Sequence, residues 1–274
     1  MTLSWFPGHM NKAKREISKA MGKVRLVIEL VDARAPFATS NPLIPGMRGD
    51  TPTITILNKC DLADPKVTDL WVKKLEEQPG VRAIPLQREM VSEAKGLLNV
   101  GRQMLPEDRN RDVLIQAMIL GIPNVGKSTL INTLAGRTLA KTANKPAVTR
   151  QQQRVKVGRD FVLIDTPGFL WPRLEPMDAA MRLAATGAIA DARLDLEEVA
   201  VHLLTSLMEL YPQQVMSRYK LDTMADEPTE VLEQIARKRG ALRKGGVVDM
   251  AKVCDLLVFE FRQGKIGRVS LERP

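Results

Sequence analysis

Short apolar, β-branched runs recur through the first part of the chain: Val24 to Val31, closing at Asp32, then Thr53 to Leu57, Val81 to Leu86 and Val113 to Leu120. An uninterrupted apolar run of this length suits a strand buried on both faces rather than one with a wet side. Between the runs the spacing turns helical, at Lys12 to Lys23 (a basic stretch), Lys66 to Glu77 and Val91 to Leu105. Strand and helix in alternation predict an α/β fold, a mostly parallel sheet covered by helices with right-handed crossovers. A further helix is expected over Lys127 to Gly136, and Gln153 to Val157 with Phe161 to Asp165 should form a hairpin around Gly158-Arg159-Asp160. Character changes from Pro167, and beyond Pro176 only helical patterns remain, at Asp178 to Ala192, Leu196 to Leu210, Thr229 to Arg239 and Asp249 to Arg262. A smaller all-α domain is therefore expected over residues 176–274, after an α/β domain over 1–175. With no repeat or low-complexity tract, the chain should be folded throughout except for its last few residues.

Composition adds limits to this picture. At 274 residues and 44% hydrophobic content the chain can bury one sizeable core and a smaller one. The net charge of +9 points to a polyanionic partner, although a solvated basic surface would give the same number. Cys60 and Cys254 are too few for a disulfide framework or a zinc site and fit reduced thiols. The opening Met1-Thr2-Leu3-Ser4-Trp5-Phe6-Pro7-Gly8-His9 lacks a signal-peptide core, and no segment approaches the roughly 20 apolar residues of a membrane span. The expected location is the cytoplasm.

Gly121-Ile122-Pro123-Asn124-Val125-Gly126-Lys127-Ser128 satisfies the phosphate-loop pattern and lies between an expected strand and an expected helix. Its glycines let backbone amides turn toward phosphate oxygens, and the helix start supplies the positive end of a dipole. Lys127 is placed to meet the β and γ phosphates and Ser128 to ligate Mg²⁺, with Asn124, Val125, Gly126 and Thr129 lining the same nucleotide. Asn58-Lys59-Cys60-Asp61 closes another strand, so its polar groups emerge at the carboxyl edge of the sheet. Asp61 offers two acceptors to the neighbouring ring N1–H and exocyclic amine of guanine, which adenine could not satisfy because its ring edge is an acceptor there. Asn58 would brace the loop, and the Lys59 stem would pack along the ring. Asp165-Thr166-Pro167-Gly168 brings a carboxylate for Mg²⁺ and a glycine amide for the γ-phosphate, and Thr149 lies where its hydroxyl could also reach the metal. The guanine segment precedes the phosphate loop, so the nucleotide domain is circularly permuted.

Together with the opening Trp5-Phe6-Pro7-Gly8-His9-Met10, the Val31-Asp32-Ala33-Arg34 strand end with Asn41-Pro42, and the ending from Arg239-Gly240 through Gly245-Gly246 to Gly267, these motifs resemble the circularly permuted ribosome-assembly GTPases, specifically the ribosome biogenesis GTPase A (YlqF/RbgA) family. The resemblance covers nearly the whole chain. It implies a Ras-like P-loop GTPase domain followed by a helical domain that contacts RNA of the large ribosomal subunit, with GTP and Mg²⁺ as cofactors. Ala83-Ile84-Pro85-Leu86-Gln87-Arg88 lacks the Ser-Ala pair of ordinary GTPases, which puts base contacts from that loop in doubt. Ras-like enzymes orient the attacking water with a glutamine where this chain has Phe169, which cannot hydrogen-bond through its side chain. The family suggests His9 instead, with His9, Lys127 and Thr149 as the candidate catalytic residues. Asn124 matches a position that ligates K⁺ in related potassium-activated GTPases.

From Arg237 to Pro274 there are ten basic residues against four acidic ones. Arg237, Lys238, Arg239, Arg243 and Lys244, flanking Gly240 and Gly245-Gly246, are the candidate RNA contacts. Phe259 and Phe261 have spacing that suits a helix core, so base stacking is not the expected mode. The expected partner is a large-subunit precursor, with neither membrane nor DNA involved. A permuted GTPase acting on the small subunit or tRNA, and a GTP-gated RNA-binding switch with little hydrolysis, remain open. For Asp32-Ala33-Arg34 a salt bridge at the strand end is the modest expectation.

Overall fold

A computed structural model describes residues 8–106, 114–137, 153–190 and 195–274, with side chains from residue 15 onward. Six strands form one sheet in the order β3-β2-β1-β4-β6-β5. They are β1 (Leu26–Asp32), β2 (Thr53–Asn58), β3 (Val81–Leu86), β4 (Ile115–Gly121), β5 (Gln153–Val157) and β6 (Phe161–Asp165). All neighbours are parallel except β5 with β6, the expected hairpin, where Val155 faces Leu163. Every residue of β1 is buried, as its unbroken apolar run predicts for a central strand. Its neighbours are β2 and β4, so the segments after those two strands emerge on either side of Asp32.

Helices α1 (Gly8–Met21), α4 (Pro65–Glu76), α5 (Val91–Met104) and α6 (Lys127–Ala135) follow the expected stretches. Two short helices were not anticipated between β1 and β2: α2 (Pro36–Thr39) and α3 (Ile44–Arg48), each with a proline in its first turn. The helical region comprises α7 (Met177–Ala185), α8 (Leu196–Leu210), α9 (Pro212–Tyr219), α10 (Pro228–Arg239) and α11 (Met250–Arg262). The expected helix Asp178 to Ala192 is shorter in the structure. Thr186 bonds its hydroxyl back to the Leu183 carbonyl, Gly187 turns left-handed with φ 84°, and the Arg262 guanidinium takes the Ala184 and Ala185 carbonyls. Those contacts supply the partners that another helical turn would have given.

The expectation of a frayed end is also corrected. Val269, Ser270, Leu271 and Glu272 are buried, and apolar residues of α8, α11 and this end share one core with the sheet. No helix among the described residues is long and apolar enough to cross a membrane.

Candidate functional site

The chemistry gathers at the carboxyl ends of β2, β1, β4 and β6. As β4 ends, Gly121 adopts φ 144°, and a Cβ there would lie 2.6 Å from the Leu30 carbonyl oxygen. Only glycine lets the loop leave so close to β1. At the other end of the loop Gly126 has φ 108°, and its Cβ would fall 2.3 Å from Asn58 Nδ2. That amide donates to the Val125 carbonyl at 2.7 Å, so the guanine segment and the phosphate loop, expected separately from sequence, are locked by one bond.

Lys127 begins α6 and folds back over the loop, its Nζ donating to the carbonyls of Gly121 (3.0 Å) and Ile122 (2.7 Å). Burial pushes its ammonium down to about 8, against the opposing pull of Asp165. Asp165, at the end of β6, is pushed up to about 6 by burial, tempered by the Lys127 charge. Among the described residues neither of its carboxylate oxygens has a hydrogen-bond partner. A buried carboxylate without donors is costly, and a cation or its bound waters would supply what is missing. The Asp165 carboxylate therefore fits Mg²⁺, and Ser128 follows Lys127 at the start of α6. Thr166 anchors the next residue by donating to the Ile119 carbonyl at 2.7 Å. At Gly168 a Cβ would meet Lys127 Nζ and Pro123 Cα at 2.8 Å, so the backbone is pressed against the phosphate loop.

Phe169 is fully buried, and its carbonyl accepts from Asn41 Nδ2 at 3.0 Å. The residue in the usual glutamine position thus faces the core and cannot orient water. Asn124 takes φ 58° and donates its Nδ2 to the Gly187 carbonyl at 2.8 Å, which joins the phosphate loop to the turn after α7.

At the guanine segment Lys59 has φ 60° and its Nζ bonds Asp32 at 2.9 Å. Asp32 also receives Arg34 Nε and Nη2 at 2.9 and 2.8 Å, while Arg34 Nη1 donates to the Phe261 carbonyl in α11. Burial opposes ionisation of Asp32, but the charges of Arg34 and Lys59 outweigh it and hold the carboxyl well below the usual range. The strand-end salt bridge expected from sequence therefore exists and orients Lys59.

Asp61 is exposed at the loop tip. The His9 side chain and Thr149 lie outside the described residues. His202, in α8, is mostly buried, lies 3.6 Å from Asp178 and is held below its ordinary value by burial, in keeping with a packing role. Cys60 and Cys254 are buried, and burial pushes the Cys254 thiol up to about 12.

Among the expected RNA contacts, Arg237 pairs with Glu233, Lys238 with Asp222, Arg239 with buried Glu260, and Arg243 with Asp249. Phe259 corrects the sequence expectation. It is 52% exposed, on the far side of α11 from buried Val253, Cys254, Leu257, Val258 and Phe261. With Lys238, Arg239 and Lys252 it lines an open cavity of about 680 Å³, and Lys265 Nζ sits 5.3 Å from its ring centre.

Sequence reasoning missed the segment after α11. Arg268 donates to the carbonyls of Ala63 (3.0 Å) and Cys60 (3.1 Å), the Val269 amide to that of Leu62 (3.0 Å), and the Asp64 amide to Ser270 Oγ (3.1 Å). The alternation of buried Val269 and Leu271 was the available signal.

A family model described as "50S ribosome-binding GTPase" matches residues 116–238. Ribosome biogenesis GTPase A of Priestia megaterium is 42% identical, over 100% of this chain and 98% of that protein. The GDP-bound structure of TM YlqF shares 33% identity and a TM-score of 0.71, covering 95% of this chain and 99% of that one. GNP-bound YlqF from T. maritima gives 33% and 0.69, covering 96% and 98%.

Proposed function

The chain belongs to the ribosome biogenesis GTPase A family, and from that premise we propose that this GTP-hydrolysing assembly factor acts late in building the large ribosomal subunit, in the cytoplasm. It binds the precursor particle and its rRNA in the GTP form and leaves after hydrolysis. The observation that carries this reading is the bond from Asn124 to Gly187, which ties the phosphate loop to the helical region and gives nucleotide state a route to the RNA-facing part. The division at about residue 175 is part of the same proposal, with 1–175 binding nucleotide and 176–274 binding RNA.

In this reading Asn58, Lys59 and Asp61 select guanine, while Asn124, Val125, Gly126, Lys127, Ser128 and Thr129 hold the phosphates and the Gly168 amide meets the γ-phosphate. Ser128, Thr149 and Asp165 would hold Mg²⁺, which neutralises charge on the phosphates when bound. Lys127 and Thr149 stabilise the reacting phosphate. Because Phe169 is buried, His9 orients the attacking water once the particle docks, which makes turnover ribosome-stimulated. Asn124, its amide nitrogen already engaged, would face K⁺ through its oxygen. Lys238, Lys252, Lys265 and Phe259 form the centre of the RNA surface, and Arg237, Arg239, Arg243 and Lys244 its margin.

Turnover measured with and without purified large-subunit particles tests the proposal, in potassium and in sodium buffer. Stimulation that His9→Ala abolishes is expected, and particles that leave the rate at its free value refute it. Buried Phe169 favours one second reading, a GTP-gated binding switch with little hydrolysis. Under that reading a single-turnover rate on the particle is indifferent to His9→Ala.

A further inference from the structure

The loop that carries Asp61 is held less by its own strand than by a segment from the other end of the sequence. Within the loop, Leu62 N bonds Lys59 O and Ala63 N bonds Cys60 O. The outward carbonyls of Cys60, Leu62 and Ala63 and the amide of Asp64 all go to Arg268, Val269 and Ser270. Gly264 fits beneath Leu62, where a Cβ would lie 2.6 Å from Leu62 Cδ2. Tyr211 then ties the two together, its hydroxyl 3.2 Å from Asp64 Oδ2 while accepting from Ser270 N at 3.1 Å. Farther along, Leu271 N donates to the Arg34 carbonyl and Glu272 accepts from the amides of Phe37 and Ala38.

Bidentate recognition of guanine requires a carboxylate held in one orientation, and Asp61 is exposed, with no buried packing of its own to provide that. Its orientation is inherited from its flanking peptides. The carbonyls on both sides, of Cys60 and Leu62, are fixed by Arg268 and by the Val269 amide. We infer that residues 264–272 act as a strap that sets the guanine loop, with Arg268 a positioning residue for base selectivity. The inference rests on Asn58 to Asp61 being the guanine-recognition segment. Arg268 touches no nucleotide atom in this scheme. It acts by keeping two carbonyls, and the peptide between them, in place.

The test compares GDP with inosine diphosphate, which keeps the ring N–H but lacks the exocyclic amine. General destabilisation weakens both nucleotides alike and leaves their affinity ratio unchanged. Loss of the Asp61 orientation lowers the ratio itself. For Arg268→Ala the GDP/IDP ratio should fall by roughly tenfold, the scale of one lost charge-assisted hydrogen bond. Arg268→Lys, which keeps a single donor group, should lie between Arg268→Ala and the parent. Ser270→Ala, which frees the Asp64 amide without removing a charge, should lower the ratio in the same direction and serves if Arg268→Ala does not fold. A parental ratio in folded Arg268→Ala, or in Ser270→Ala where that variant stands in, overturns the inference. A parent protein that does not distinguish GDP from IDP or ADP overturns the reading of the Asn58 to Asp61 loop, and the inference with it.

Discussion

Replacing Asp32 by alanine tests whether the strand-end ion cluster supports both the fold and the base loop. Asp32 and Arg34 are each 1% exposed, and the carboxylate receives two guanidinium bonds from Arg34 and one from Lys59. Without it the Arg34 charge stays buried with, among the described residues, only the Phe261 carbonyl and ring as partners, the ring lying 4.6 Å away. Removing one member of a buried pair costs about 3–5 kcal/mol, a large share of the roughly 5–15 kcal/mol that holds a typical domain. At about 2–4 °C per kcal/mol for a chain of this size, the melting temperature should fall by roughly 6–20 °C. Adding Arg34→Met to Asp32→Ala removes the stranded charge and should restore part of that loss, because an apolar replacement of the pair is tolerated better than half of it. Thermal melts of the parent, the single and the double variant measure all three. The pH dependence has a definite sign. Asp32 is depressed in the fold, so its contribution is complete above the unfolded carboxylate value of about 3.9 and is lost only as pH falls through the lower folded value. A single variant melting within about 2 °C of the parent, on the same scale, refutes the reasoning. So does a double variant no more stable than the single one.

Three further outcomes follow from the site. GDP affinity should decline as pH rises past about 8, where free Lys127 loses its proton, and fluorescence titration of Lys127→Ala should show weak binding with no such inflection. Asp165 is raised to about 6, so in metal-free protein stability is lost as pH rises from the unfolded value through about 6. Asp165→Asn should then be more stable than the parent at pH 7, by about 3 kcal/mol in a metal-free melt, while its nucleotide affinity depends less on Mg²⁺. Phe259→Ala should weaken rRNA binding by about tenfold in a filter or mobility assay, the usual scale for losing one stacking ring. Its nucleotide affinity and melting temperature should match the parent, since the ring is half exposed.

The sheet and its motifs were legible because buried central strands leave an unmistakable mark, and β1, β2 and β4 carry it. Phosphate-loop chemistry was legible for a related reason, since glycines at 121 and 126 answer a local backbone demand. What sequence did not reveal depends on distant partners. The stop after Ala185 is enforced by Arg262, 77 and 78 positions away. The two short helices after β1 and the helix Pro212–Tyr219 are too brief to establish a period. Phe259 and Phe261 look alike in composition, yet only Phe261 falls on the buried stripe of α11. Asp32 was visible as a strand end, but its grip on Lys59 depends on β1 and β2 being neighbours, a fact of topology.

The strap has a consequence for the order in which the molecule is made. Arg268 is joined to its loop partners across 205 and 208 positions, so a growing chain exposes Cys60 to Asp64 long before their carbonyl partners exist. The phosphate loop, by contrast, finds its last partners at Asp165, Gly168 and Gly187, well before Arg268. Since domains organise from the amino-terminal side during synthesis at about 5–20 residues per second, a nascent chain should acquire a place for phosphates roughly 4–16 seconds before it has a finished seat for guanine. Full discrimination between purines would then be the last property the protein gains, and a chain cut short before Arg268 would hold nucleotides with a weaker choice among them.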